Sequence, residues 1–222
     1  MRVLIVDTET TGIGADDKVC EVAWCEITEN FDVVEQGASL INPGRPIGNA
    51  AQAVNGISND MVKDAPTLDE YMESVGHPLL CADVFVAHNS GFDWRFLKDF
   101  TSDECVQLDT LKIARLIYPD AENHRQATIA VMLGIHVDRA KAHSADGDTF
   151  VLAQILQRMC EDAQTDIAGL IELQKRPVPI TKMPWGKHRG KLLKDIPDDY
   201  VWWLLNKATD VKDDLRAALN AL

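Results

Sequence analysis

The heptapeptide VDTETTG, residues 6–12, closes the apolar run VLIV of residues 3–6. It sets two carboxylates, Asp7 and Glu9, one residue apart where a strand is expected to end. Residues i and i+2 of a strand project from the same face, so both acids aim at one spot. Half removed from water, they repel each other, and solvent, a basic partner or a metal ion has to compensate. A solvated strand end is the ordinary reading of such a pair taken alone.

Outward from this point the chain reads as α/β. RVLIVD, KVCEVAWCEI and VVEQGASLI are apolar, partly β-branched runs separated by turn material, which predicts an antiparallel meander of three strands. INPGRPIG is loop, and AAQAV is a short helical turn. Thr67 and Glu70 form a capping box before the next helix, and Ser58 caps a short one. ADVFVAHN is a further strand. Helices are expected over GFDWRFLKDF, DTLKIARLIY, QATIAVMLG and AHSADGDTFVLAQILQRM, the last with an apolar stripe of Phe150, Leu152, Ile155, Leu156 and Met159. The sum is an α/β fold with a mixed sheet flanked by helices.

Composition narrows the class. Of 222 residues, 46% are hydrophobic and 26% charged, which is ordinary for a globular chain. No apolar run approaches the roughly 20 residues of a membrane span, and the N-terminus does not read as a secretory signal. Five scattered cysteines without a C-x-x-C pair fit reduced thiols, so a cytoplasmic location is expected. The net charge of −13 is unevenly spread. Residues 1–170 hold 12 Lys and Arg against 28 Asp and Glu, whereas 171–222 hold 10 against 7. The stretch 174–194 carries seven basic residues and no acid. That asymmetry predicts a domain over 1–173, a linker over 174–181, and a small basic module over 182–222 built of a glycine-flanked hairpin and two helices.

Three segments place acids at element boundaries: Asp7 and Glu9 in VDTETTG, Asp93 in AHNSGFD, and His143 with Asp148 in AHSADGD. Four carboxylates converging on one place need cations, and hard oxygen donors favour two Mg²⁺, or Mn²⁺, ions. Two such ions roughly 3.5–4 Å apart suit phosphoryl chemistry, with His143 taking the proton of the attacking water. Asp109 reads instead as a helix N-cap, and His88 as a hydrogen-bonded structural histidine.

VDTETTG, AHNSGFDWRFL and HSADGD stand in the order and spacing of the three motifs of the DnaQ-like (DEDD) 3′–5′ exonucleases, which the chain resembles over about residues 1–160. GISNDMVKDAP is similar to the segment between that family's first two motifs, with Asn55 where relatives usually carry histidine. The H-x-A-x-x-D pattern of His143 to Asp148 resembles the histidine branch, DEDDh. The resemblance implies an RNase H-like fold, metal binding by Asp7, Glu9, Asp93 and Asp148, and a base role for His143. It implies a 3′–5′ exonuclease that releases 5′-mononucleotides from DNA 3′ ends, single- or double-stranded. RNA trimming, or nucleic-acid binding without catalysis, are the alternatives.

Around that centre, Thr8 and Thr10 are expected to touch the terminal nucleotide, Ile13 to wedge against the last base, and Phe92 to pack near the site. In the basic module, Lys187, Arg189 and Lys191 are expected to hold phosphates and Trp185 to stack; the alternative is a small structural cap, with Trp202 and Trp203 serving mainly as core. MPWGKHRGK resembles the opening of a small module found on nucleases, with Trp185 in place of phenylalanine.

Overall fold

The computed structural model describes residues 1–75, 81–136, 145–209 and 211–222, with the main chain alone at 145 and 146. Among the described residues five strands form one sheet: β1 (Val3–Thr10), β2 (Val19–Ile27), β3 (Val33–Leu40), β4 (Val84–Ala87) and β5 (Val106–Asp109). Their order is β3-β2-β1-β4-β5. β1 pairs antiparallel with β2, and β2 with β3, as the meander predicts. β4 joins β1 in parallel and β5 joins β4 in parallel, which makes the sheet mixed.

β1 therefore lies in the middle of the sheet. It also runs further than its apolar content suggests, through Asp7 and Glu9 to Thr10. The acids are inside the strand and not beyond its end. The reason is pairing: Thr8 faces Val22 and Glu9 faces Glu21, and β-branched threonines suit a pleated surface. A register shift between Glu9 and Thr10 then ends the ladder.

The two faces of β1 are covered differently. Leu4 and Val6 pack with Trp24, Phe85, Tyr71 and Leu97 in a cluster that draws on α3 (Leu68–Val75) and α4 (Gly91–Leu97). These follow α1 (Asn49–Asn55) and α2 (Asn59–Val62). On the remaining face, where Val3 and Ile5 are fully buried, α7 (Ala145–Asp162) packs along β1 and β2. It is preceded by α5 (Thr110–Ile117) and α6 (Gln126–Met132). Leu152, Ile155, Leu156 and Met159 of α7 are buried. Each such side chain contributes roughly 1.5–3 kcal/mol on leaving water. Phe150, placed on the same stripe by its spacing, is 51% exposed and is corrected to a surface position. β5 and α8 (Ile167–Leu173) are short elements that the sequence pattern does not announce.

The chain divides into two compact units, Met1–Ile171 and Glu172–Leu222. The second has its own core of Met183, Leu193, Ile196, Leu204, Val211, Leu215 and Leu219. It contains α9 (Asp198–Asn206) and α10 (Asp213–Asn220). Its loop is closed by the Met183 N–H donating to the Lys191 carbonyl at 2.8 Å and the Gly190 N–H to the Met183 carbonyl at 2.8 Å. Gly186 and Gly190 turn the chain at φ 74° and 83°, where a side chain is strained. Among the described residues no helix is long and apolar enough to cross a membrane.

Candidate active site

The C-terminal half of β1 supplies Asp7 and Glu9, and the first turn of α4 supplies Asp93 directly after β4. The start of α7 supplies Asp148. Strand ends and helix starts of neighbouring elements thus meet at the C-terminal end of the central strands β1 and β4, where α/β sites form. One clasp fixes the geometry. The Thr8 N–H donates to Asp93 Oδ1 at 3.0 Å and the Thr8 hydroxyl to the same oxygen at 2.7 Å. Asp93 is only 4% exposed.

The charges are mutually unfavourable. Burial, then the charges of Asp93, Glu9, Asp148 and Glu21, hold the Asp7 carboxyl well above the usual carboxylate range. Burial and then Glu21, Asp148 and Asp93 push Glu9 up to about 7. Burial raises Asp93 to about 7 as well, against the lowering effect of its Thr8 hydrogen bonds. Asp93, Glu9 and Asp148 thus all act on Asp7, and Asp148 and Asp93 act on Glu9. Glu21 is the addition: it faces Glu9 across the β1–β2 ladder. The register of the meander is the signal that would have found it.

A consequence can be measured. Carboxyls raised from about 4 toward 7 keep protons in the folded chain that the unfolded chain has released. Their contribution to stability is therefore full below about pH 4 and lost as pH rises through 7. A divalent cation bound there would replace those protons. Added Mg²⁺ is expected to raise the melting temperature by several degrees at pH 8, at about 2–4 °C per kcal/mol for a chain of this size, and by far less at pH 5.5. Equal shifts at the two pH values, read by thermal melts with and without EDTA, would contradict the cluster as described.

Other expected residues take these positions. His143 lies outside the described residues. His88 is a structural histidine: Thr110 Oγ1 is 3.0 Å from its Nδ1, the His124 carbonyl is 2.7 Å from its Nε2, and burial lowers its pKa. Asp109 caps α5, accepting the N–H of Leu111 at 2.9 Å and of Lys112 at 3.4 Å. Thr8 and Thr10 are buried with their hydroxyls turned inward, Thr10 donating to the Gly12 carbonyl at 2.7 Å. Asn55 is buried too, its Nδ2 donating to the Thr10 carbonyl at 3.3 Å and its Oδ1 accepting the Ile57 N–H at 3.0 Å.

The loop after β1 is braced from both sides. Asp17 accepts the Thr11 hydroxyl and the Gly14 N–H, each at 2.7 Å. A Cβ on Gly12 would stand 2.5 Å from Asp17 Oδ2, so a side chain there would push the Asp17 carboxylate off its bonds to Thr11 and Gly14. Arg95 donates to the Ile13 carbonyl at 3.2 Å, with its guanidinium 4.5 Å from the Phe92 ring and 4.4 Å from the Phe96 ring. Ile13 itself projects, 86% exposed. Phe92 is half-buried and supports this arginine rather than filling the core.

Lys187, Arg189 and Lys191 lie exposed on the loop of the second unit. Trp202 and Trp203 are exposed as well, so they do not form the core that the structural-cap alternative gives them.

Among the described residues no three potential ligands close to a finished metal-binding geometry. Donor chemistry nonetheless fits a hard divalent cation: oxygen ligands alone, buried at Asp93 and half-buried at Asp7, Glu9 and Asp148, with Asp7, Glu9 and Asp93 held toward their neutral forms.

With that geometry in view, the exonuclease family RNase_T matches residues 4–156. The chain belongs to this exonuclease family. A second, short match over residues 171–210 is to a family described as a proposed quorum-sensing-regulated virulence factor. Exodeoxyribonuclease 10 of Escherichia coli K12 is 27% identical over 97% of this exonuclease and 96% of its own length. The 3′-5′ exonuclease DinG of Bacillus subtilis 168 is 31% identical over 72% of this chain and 18% of its own. A solved structure of Exonuclease X in complex with 5′ overhanging duplex DNA superposes with a TM-score of 0.65 at 22% identity, covering 78% of this chain and 99% of that one. That likeness establishes the RNase H-like exonuclease fold.

Proposed function

We propose that this chain is a metal-dependent exonuclease that trims DNA from 3′ ends and releases 5′-mononucleotides. The observation that carries the reading is the buried carboxylate cluster, with Glu9 and Asp93 both raised to about 7 and Asp7 raised by each of them. The names of the DNA-specific relative and the 3′-5′ relative support it. Asp7, Glu9, Asp93 and Asp148 would hold two Mg²⁺ or Mn²⁺ ions. Such ions, when bound, activate a water and stabilise the departing 3′ oxygen.

The chain's own groups do the rest. Thr8 holds Asp93 by one oxygen, so the carboxylate cannot swing away. His143 removes the proton from the attacking water. Ile13, exposed and anchored through its carbonyl by Arg95, presses against the terminal base, and Phe92 stiffens that arginine. The expected division of labour gives the chemistry to residues 1–173 and leaves 182–222 to hold the strand, with Lys187, Arg189 and Lys191 on phosphates.

Digestion of 3′- and 5′-labelled DNA and RNA oligomers of one sequence with Mg²⁺ tests the reading. The 3′ label should appear first as a mononucleotide, and from DNA faster than from RNA. Initial release of the 5′ label, or undiminished hydrolysis in excess EDTA, would overturn it.

A further inference from the structure

The second unit leaves an unusual amount of aromatic surface uncovered. α9 buries Leu204 in the unit's core, with Val201 and Leu205 packed against it. Its other side shows Trp202 at 57% exposure and Trp203 at 45%. Indoles bury large apolar areas in folded chains, so two adjacent exposed ones on a helix need an occupant. Tyr200 stacks on Trp203 with ring centroids 5.6 Å apart and planes 20° from parallel, which fixes the orientation of the indole.

Trp203 is the wall between two clefts. One, of about 500 Å³, is completed by Trp185, Lys207, Ala208 and Thr209. The other, of about 560 Å³, is completed by Lys187, Asp199, Tyr200 and Trp202. Each cleft has one lysine in its lining: Lys187 Nζ is 4.7 Å from the ring centroid of Tyr200 in the same cleft, and Lys207 Nζ is 5.9 Å from that of Trp202, which lines the other. An aromatic wall with an ammonium beside it, on both sides, matches a repeating ligand that alternates flat rings with anionic links.

We propose that Trp203 and its neighbours Trp202, Trp185 and Tyr200 form a stacking platform for unpaired bases of a single nucleic-acid strand, with Lys187 and Lys207 on its phosphates. The proposal rests on the exonuclease reading for its purpose but not for its geometry. Two observations favour a nucleic acid over a peptide. Residues 174–194 hold seven basic side chains and no acid, in a chain of net charge −13. The stacking faces also accept any base, which suits an enzyme that must move along a strand. Paired bases already stack on one another and have no face to offer, so the platform selects unpaired segments.

The test uses the full-length protein in EDTA with fluorescein-labelled oligo-dT, an abasic oligomer of equal length and oligo-rU, read by anisotropy. The wild-type protein should bind oligo-dT about tenfold or more tightly than the abasic strand. Trp203→Ala should lower oligo-dT affinity by about 5- to 100-fold, leave abasic binding unchanged, and be rescued by Trp203→Phe. Oligo-rU binding equal to oligo-dT supports stacking without sugar recognition, and rU binding no better than abasic overturns it. In case Trp203→Ala fails to fold, Lys187→Gln with Lys207→Gln at the surface should flatten the slope of log affinity against log salt by about 0.7 for each phosphate no longer neutralised. An unchanged slope would overturn the assignment of these lysines to phosphates. Unchanged oligo-dT affinity in folded Trp203→Ala would overturn the platform and assign the face to a protein partner. Mg²⁺-dependent hydrolysis of thymidine 5′-monophosphate p-nitrophenyl ester by the wild-type protein reads the exonuclease chemistry separately. Its failure with intact Trp203-dependent binding would remove the nuclease reading and leave the platform.

Discussion

Asp7→Asn is expected to lower Mg²⁺-supported DNA hydrolysis by about 10³-fold or more, while the folded protein persists. Charge stabilisation supplied by a bound divalent ion amounts to several kcal/mol, and each 1.36 kcal/mol is tenfold in rate. Asp7 is the member of the cluster that the other three motif carboxylates all act on, so its loss weakens the whole set. Survival of the fold follows from the same electrostatics. The group is already held toward its neutral form by burial and by Asp93, Glu9, Asp148 and Glu21, so an isosteric amide removes repulsion. The variant should melt at or above the metal-free wild-type temperature at pH 8, and the increment produced by Mg²⁺ should shrink. A variant with wild-type turnover, or one that unfolds, would place the essential acid elsewhere.

His143→Ala should reduce turnover by about 10²–10⁴-fold, the usual contribution of a positioned base. The histidine is proposed to touch the water and not a cation. The Mg²⁺-induced rise in melting temperature should therefore survive in this variant, in contrast to Asp7→Asn. That contrast separates a base from a ligand even though both variants are nearly inactive. Turnover near the wild-type level between about pH 6 and 9 would show that another group accepts the proton.

Much of this was legible in the chain because the informative signals were local. A strand rich in Val, Leu and Ile, a D-x-E two residues apart, and acids near helix starts each rest on short-range geometry. The helices over residues 91–97 and 110–117 and the capping box at Thr67 and Glu70 follow for the same reason. What the pattern did not carry was pairwise in space. Thr8 looked available to a nucleotide, and nothing adjacent in sequence says that its hydroxyl meets an aspartate 85 residues away. Nothing in the sequence set Glu21 apart until the register with β1 placed it opposite Glu9. Phe150 was placed inside because hydrophobic spacing ranks residues by type, whereas exposure depends on what the rest of the unit covers.

The central place of β1 has a kinetic meaning. Its amides are bonded to β2 on one side and β4 on the other, and its apolar residues are buried on both faces. Segments of that kind exchange their amide hydrogens only when the whole domain opens, whereas loops and edges fray first. Two of the four motif acids are thus written on the part of the molecule that comes apart last. The loop bearing Ile13, braced by Asp17 and Arg95, belongs to the part that comes apart first. Warming the protein should therefore blur its grip on the strand end well before it disturbs the spacing of Asp7 and Glu9.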